Sequence, residues 1–122
     1  MYDDFIRRVH KSKKNPKLSA PIAQCRDYIE LHLEEKIRAK DLAAFVGYTE
    51  YYLTHKFKEE TGYSLNDYVK HAKIQRAKIL LRGSDISVQE LSERLCFSSR
   101  NYFSRVFSEL VGCTPIEFRE QR

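Results

Sequence analysis

Apolar positions in residues 86–119, ISVQELSERLCFSSRNYFSRVFSELVGCTPIEFR, recur at helical spacing in three successive runs. Leu91 and Leu95 lie four apart and share one helix face. Phe103, Val106, Phe107 and Leu110 form an apolar stripe on the next helix. Between these runs, Cys96, Phe97, Ser98 and Ser99 supply a turn and then a hydroxyl able to accept the orphan amides of a helix start. Gly112 stops the second run, and Thr114 with Pro115 opens a third with a cap and a first-turn proline. Two short helices joined by a tight turn predict a helix-turn-helix, whose second helix fits a DNA major groove.

The pattern occurs twice. IRAKDL at residues 37–42 precedes ISVQEL at 86–91 by 49 positions. Tyr52, Leu53, Phe57, Gly62, Ser64 and Tyr68 precede Tyr102, Phe103, Phe107, Gly112, Thr114 and Phe118 by 50. The change of offset puts a one-residue difference in or just after the turn, where insertions are best tolerated. Stability does not require two matching units in 122 residues; reading a long ligand at two places does.

The remaining pattern completes an all-α fold of about seven helices, two helix-turn-helix units joined by a long central helix. After an arm or linker over residues 1–18, the domain takes residues 19–122. Its first helix starts at Ser19 or Pro21 and runs to about Leu33, with Ile22, Tyr28 or Ile29, and Leu33 inward. The first unit, about residues 37–62, has a helix over 39–46 that buries Leu42, Phe45 and Val46. Gly47 makes its turn, and Thr49 caps a helix that ends before Gly62. The linking helix, residues 64–82, is capped by Ser64 and packs Tyr68, Ala72, Ala77, Leu80 and Leu81 to both sides. The second unit takes about residues 86–112 and a closing helix 114–121. At ~1.5 Å per residue the linking helix spans roughly 28 Å, against about 34 Å between successive major grooves on one face. The expectation is a bent duplex or two units that engage unequally.

With Tyr52, Leu53 and Phe57 inward, the first recognition helix presents Tyr51, Thr54, His55 and Lys58. The second presents Arg100, Asn101, Ser104, Arg105 and Ser108. Arg can bond bidentately to guanine and Asn to adenine, and Tyr51 can pack on a thymine methyl. Base contacts are therefore expected from Tyr51, Thr54, His55, Arg100, Asn101, Ser104 and Arg105. Phosphate contacts are expected from Thr49, Lys58, Ser98, Ser99 and Arg76. Plain capping explains Thr49, Ser98 and Ser99 equally well, and Lys73 and Arg76 can either touch the DNA backbone or make surface pairs. Glu50 fits compensation of the helix dipole, and Glu59 and Glu60 a solvent-facing helix end. A polar outward face alone is what any surface helix shows. Duplication, caps and turns together favour double-stranded DNA as the partner.

The net charge of +5 suits nucleic acid, but its placement weakens the argument. Residues 1–17 hold six of the cations against Asp3 and Asp4, a surplus of four, so the arm is a phosphate-seeking tail or a solvated linker. No run is apolar enough to span a bilayer and no signal peptide opens the chain, so a cytoplasmic protein without membrane contact is expected. The three cysteines lack C-x-x-C spacing and are odd in number, which argues against a disulfide framework. Cys96 and Cys113, beside apolar residues, are expected as small buried thiols. The histidines show no metal-ligand spacing, and no metal or cofactor is expected. A DNA-modifying enzyme would need an activated cysteine or a metal cluster. A helical protein-interaction adaptor remains the alternative; it would show no duplex affinity.

The residues FSSRNYFSRVF at 97–107, with GCTP at 112–115 and Phe118-Arg119, closely resemble the signature of AraC/XylS-type transcription regulators. The first unit is similar to theirs in Leu42-Ala43, Gly47-Tyr48-Thr49, Tyr52-Leu53 and FKEETG at 57–62. So is the linking helix in KIQRAK at 73–78 followed by Leu80-Leu81. The resemblance covers residues 19–119. It implies a seven-helix domain that binds asymmetric promoter sites, contacts RNA polymerase and mostly activates transcription. Carried over by position, it implies base contacts from Tyr51, Thr54, His55, Arg100, Asn101 and Arg105. It gives structural roles to Ile86, Leu91, Phe97, Phe103, Phe107 and Pro115. Family members often carry a sensor or dimerisation domain before this one, and the connector-like residues 1–18 fit a piece of such a longer regulator. One departure stands out: the family usually has Gly where this chain has Cys96. A turn needing positive φ there would carry strain on the order of 1 kcal/mol.

Overall fold

The computed structural model describes residues 18–121. They form seven helices and, among the described residues, no strand: α1 (Ala20–Leu31), α2 (Ala39–Val46), α3 (Glu50–Thr61), α4 (Leu65–Gly83), α5 (Val88–Arg94), α6 (Arg100–Val111) and α7 (Pro115–Glu120). The helix starts lie where hydroxyls sit. Thr49, Ser64, Ser87, Ser99 and Thr114 each accept an N–H from three residues on, satisfying a donor that the helix leaves unpaired. The stops at Gly47, Gly62 and Gly112 all take positive φ.

The helices surround two cores that meet along α4. The first holds Ile22, Cys25 and Ile29 of α1, Leu42 and Ala43 of α2, Leu53 and Phe57 of α3, and Leu65, Tyr68 and Ala72 of α4. The second holds Ile74, Ala77 and Leu81 of α4, then Val88, Leu91, Leu95, Phe103, Val106, Phe107 and Phe118. Ile22, Cys25 and Ile29 have the same three-then-four spacing as Ile74, Ala77 and Leu81, so the end of α4 does for the second unit what α1 does for the first. The start of α4 likewise matches α7. Tyr68 stands edge-on to Phe57 at 5.4 Å, and Phe118 edge-on to Phe107 at 5.6 Å. Each buried ring removes enough apolar surface to stabilise the fold by about 1.5–3 kcal/mol. Arg119 fixes α7 by donating to the carbonyls of Leu81, at 3.1 Å, and Ile86.

Several positions differ from the sequence expectation. Phe45 is 57% exposed, because α2 turns Leu42 and Ala43 inward and leaves that ring at the rim beside Tyr28. Tyr52 is similarly half out, edge-on to Tyr48, and Leu110 is only half-buried. Glu60 does not face solvent: both its carboxylate oxygens accept from Ser19, at 2.6 Å from N–H and 2.9 Å from Oγ, and hold the start of α1. Cys25 is the buried thiol, and burial pushes its pKa up to about 11. Cys113 is half-buried, whereas Cys96 is exposed and its backbone takes a left-handed φ of 60°. Lys73 is neither a surface pair nor a free cation. It is 94% buried by the measure of its 6% exposure, and Nζ donates to the carbonyls of Glu35 at 2.8 Å and Leu95 at 2.6 Å. Residues 1–17, which carry the expected basic arm, lie outside the described residues.

Candidate nucleic-acid interface

The two turns are built alike. Gly47 in the first and Cys96 in the second are 49 apart, and both take positive φ after their helix. The next residue closes the turn on the same carbonyl in each: Tyr48 N–H to Ala43 O at 2.8 Å, Phe97 N–H to Ser92 O at 2.9 Å. Thr49 then caps α3, whereas Ser98 intervenes before Ser99 caps α6. The extra residue is therefore Ser98, an exposed position in the turn. Cys96 is the one non-glycine residue with positive φ among the described residues, so the strain anticipated from its place in the signature is present.

Each turn leads into a twelve-residue helix with an open outward face. On α3, Tyr51, His55 and Lys58 are exposed and Thr54 half-buried. Much of this face is tied to its own backbone. Thr54 Oγ1 donates to the carbonyl of Tyr51 at 3.0 Å, and His55 Nδ1 meets the same carbonyl at 2.9 Å. That contact assigns the ring proton to Nδ1 and leaves Nε2 outward. The His55 ring also lies on the Tyr51 ring, with centroids 4.0 Å apart. On α6, Arg100, Asn101 and Arg105 are exposed and Ser104 half-buried. The Arg105 guanidinium sits 5.3 Å from the centre of the Tyr102 ring, which steadies a long side chain while its donors stay outward.

The expected phosphate residues divide. Lys58, Ser98 and the caps Thr49 and Ser99 are all exposed. The cap hydroxyls accept from Tyr52 N–H at 3.1 Å and Tyr102 N–H at 3.0 Å, so capping occupies them. Arg76 lies against Glu34, with Nη1 3.7 Å from the carboxylate, and would have to leave that pair to reach a phosphate.

Two hollows border these helices. One, of about 750 Å³, runs from Thr54, His55 and Lys58 past Arg38 to Asn66. The other, of about 480 Å³, opens between the units and is lined by Lys36, Asn66, Lys70, Ser98 and Tyr102. Lys36, Arg38, Asn66 and Lys70 were not singled out from sequence. The alternating cations of KIRAK at residues 36–40, at the start of α2, were the available signal.

Two helix-turn-helix units on one shared helix, each offering a polar recognition face, define a protein that binds DNA. The family model described as a helix-turn-helix domain matches residues 42–121. The chain is 26% identical to the DNA-binding domain of AdpA, a global transcriptional factor solved in complex with a target DNA. That match has a TM-score of 0.79 and covers 84% of this chain and 93% of that one. A transcriptional regulator with an AraC-type DNA-binding domain from Chromobacterium violaceum is 27% identical, with a TM-score of 0.78 over 89% of this chain and 94% of that one. An HTH-type transcriptional regulator of Staphylococcus aureus (strain COL) is 29% identical over 118 residues, which are 97% of this chain and 16% of the relative. The chain thus spans about a sixth of the length of the curated relatives it first matches. It belongs to the AraC-type helix-turn-helix family of DNA-binding transcription regulators. Among the described residues, no helix is long and apolar enough to cross a membrane.

Proposed function

We propose that this chain reads an asymmetric promoter site by placing α3 and α6 in successive major grooves on one face of the duplex, and that it serves activation through contact with RNA polymerase. The observation that carries the two-groove reading is the repeated turn-and-cap frame on either side of α4, which gives both recognition helices the same kind of mount. In this reading Arg100, Asn101 and Arg105, with Ser104, read bases from the second unit, and Tyr51, Thr54 and His55 from the first. Lys58, Ser98 and the amides at Thr49 and Ser99 take phosphates. Lys36 and Lys70, in the hollow between the units, suit the phosphates that separate the two grooves.

The nineteen residues of α4 give a spacer of about 28 Å, short of the ~34 Å between grooves. The duplex is therefore expected to bend toward the protein, or one unit to read while the other holds backbone. Selection of bound duplexes from a randomised library, followed by titration at several salt concentrations, tests the proposal. Two short motifs about 10 bp apart are expected. A single motif would assign base reading to one unit. No enrichment would leave a protein-binding adaptor in its place.

A further inference from the structure

Among the described residues the two cores meet along α4, and the substantial helix packing lies within a unit or against that helix. Apolar contact is non-directional, so packing on one shared helix sets the angle between the units less sharply than directional bonds do. A second tie lies away from the helix axis, and it is polar. It comes from the loop between α1 and α2. From Ile29 to Ile37 the chain takes eight steps, whereas the matching stretch from Leu81 to Ile86 takes five. The longer loop brings Glu34 against the second unit and Glu35 against Lys73 of α4. The Glu34 carboxylate takes Arg94 Nε of α5 at 2.8 Å. Its backbone carbonyl accepts the Cys96 thiol at 3.6 Å. Beneath them the buried Lys73 ammonium spans the seam, one bond to each unit.

We propose that this joint, Glu34 with Arg94 above and Lys73 below, fixes the angle between the two recognition helices and so sets the half-site spacing that the protein accepts. Hydrogen bonds have narrow distance and angle requirements, which makes them suited to holding an orientation. Lys73 sits between Ala72 of one core and Ile74 of the other, where a small change in the angle would separate its two carbonyls. These are positioning residues: none need touch DNA. The proposal rests on the two-groove reading above.

The test uses a set of duplexes carrying the two selected motifs at every spacing from several base pairs below the preferred one to several above, plus a duplex with one motif only. The whole chain and its Glu34→Gln, Arg94→Gln and Lys73→Met variants are titrated on each, with thermal melts alongside. The parent should bind one spacing best. In Glu34→Gln and Arg94→Gln, which alter a half-exposed pair, the preference over neighbouring spacings should shrink roughly two- to five-fold. Lys73→Met should shrink it about ten-fold, since two buried carbonyls lose their donor. Binding to the single motif should stay within about two-fold in the glutamine variants, because neither residue is among the proposed DNA contacts. A sharp spacing preference retained in both glutamine variants overturns the joint and leaves the two-groove reading standing. A parent that is indifferent to spacing overturns both. A loss on the single motif equal to that on paired motifs overturns the joint, by showing a contact or folding defect.

Discussion

The first and second units share a frame almost bond for bond, yet present different chemistry outward. The left-handed turn residue, the bond back to Ala43 or Ser92, the hydroxyl cap and the edge-on aromatic pair occur in both. The faces above that frame diverge. On α3, Thr54 and His55 are bonded to their own helix and the His55 ring lies tilted against Tyr51, so fewer free donors remain. On α6, Arg100, Asn101 and Arg105 keep theirs. What the repeat keeps is the means of mounting a helix; what it varies is the surface mounted. The second unit is accordingly expected to dominate base reading.

Exchanging residues across the repeat puts this difference to work. Arg105→Ala should weaken binding to the selected duplex by roughly 5- to 150-fold and relax specificity at one position, as expected for loss of a bidentate base contact. His55→Ala, which removes at most one outward donor or acceptor, should cost only about two- to five-fold. Titration of both variants on matched and mismatched duplexes decides the order, and equal losses would break the comparison. A smaller effect is expected in the turns. Gly47→Ala places a Cβ in open space but at φ 79°, so its penalty is conformational, about 1 kcal/mol. Cys96→Gly relieves the same kind of strain at φ 60° and should melt no lower than the parent, with a gain of up to about 1 kcal/mol. A clear drop in Tm for Cys96→Gly would mean that the thiol's contact with Glu34 outweighs the strain.

The smallest contrast lies at the caps that follow the recognition helices. Thr114 and Glu117 form a reciprocal capping box, with Glu117 Oε1 accepting the Thr114 N–H at 2.9 Å, whereas Ser64 caps α4 by its hydroxyl alone. The backbone bond from Thr114 holds the Glu117 carboxyl below the ordinary carboxylate value. A depressed folded-state value means that the bond contributes fully above the ordinary 4.5 and is lost as the pH falls through the lowered one. Protection of the Thr114 amide, taken relative to its intrinsic exchange rate, should therefore fall as the pH drops below 4.5 while that of Asp67 holds, and Glu117→Gln should remove that pH dependence.

The frame was legible because its signals are local. A hydroxyl at a helix start, a glycine at a stop and apolar residues at helical spacing act within a few residues, and the repeat marked each twice. Even the extra residue, Ser98, falls where the change of offset put it, in or just after the turn. The joint was not legible. Glu34 and Arg94 are sixty positions apart, and a lysine between Ala72 and Ile74 looks like any helix-surface cation until two cores close around it. Glu60 was missed in the same way, since its partner Ser19 is forty-one positions away. Phe45 misled for a different reason: an eight-residue helix has too little length to show which flank of its apolar face is the rim. The outward faces of α3 and α6 were correctly named as polar surface, but the bonds that occupy Thr54 and His55 depend on rotamers that no spacing reveals.

α4 supplies one wall to each core, from its first half for the first unit and from its second half for the second. A break after Thr61 would strip the first core of Leu65, Tyr68 and Ala72, and one after Gly83 would strip the second of Ile74, Ala77 and Leu81. To isolate either unit as a free-standing module, its own half of α4 would have to go with it. For a protease the same arrangement means that a nick at either end of α4 strips one core of its wall, whereas a nick near Lys73 cuts the chain where one core gives way to the other.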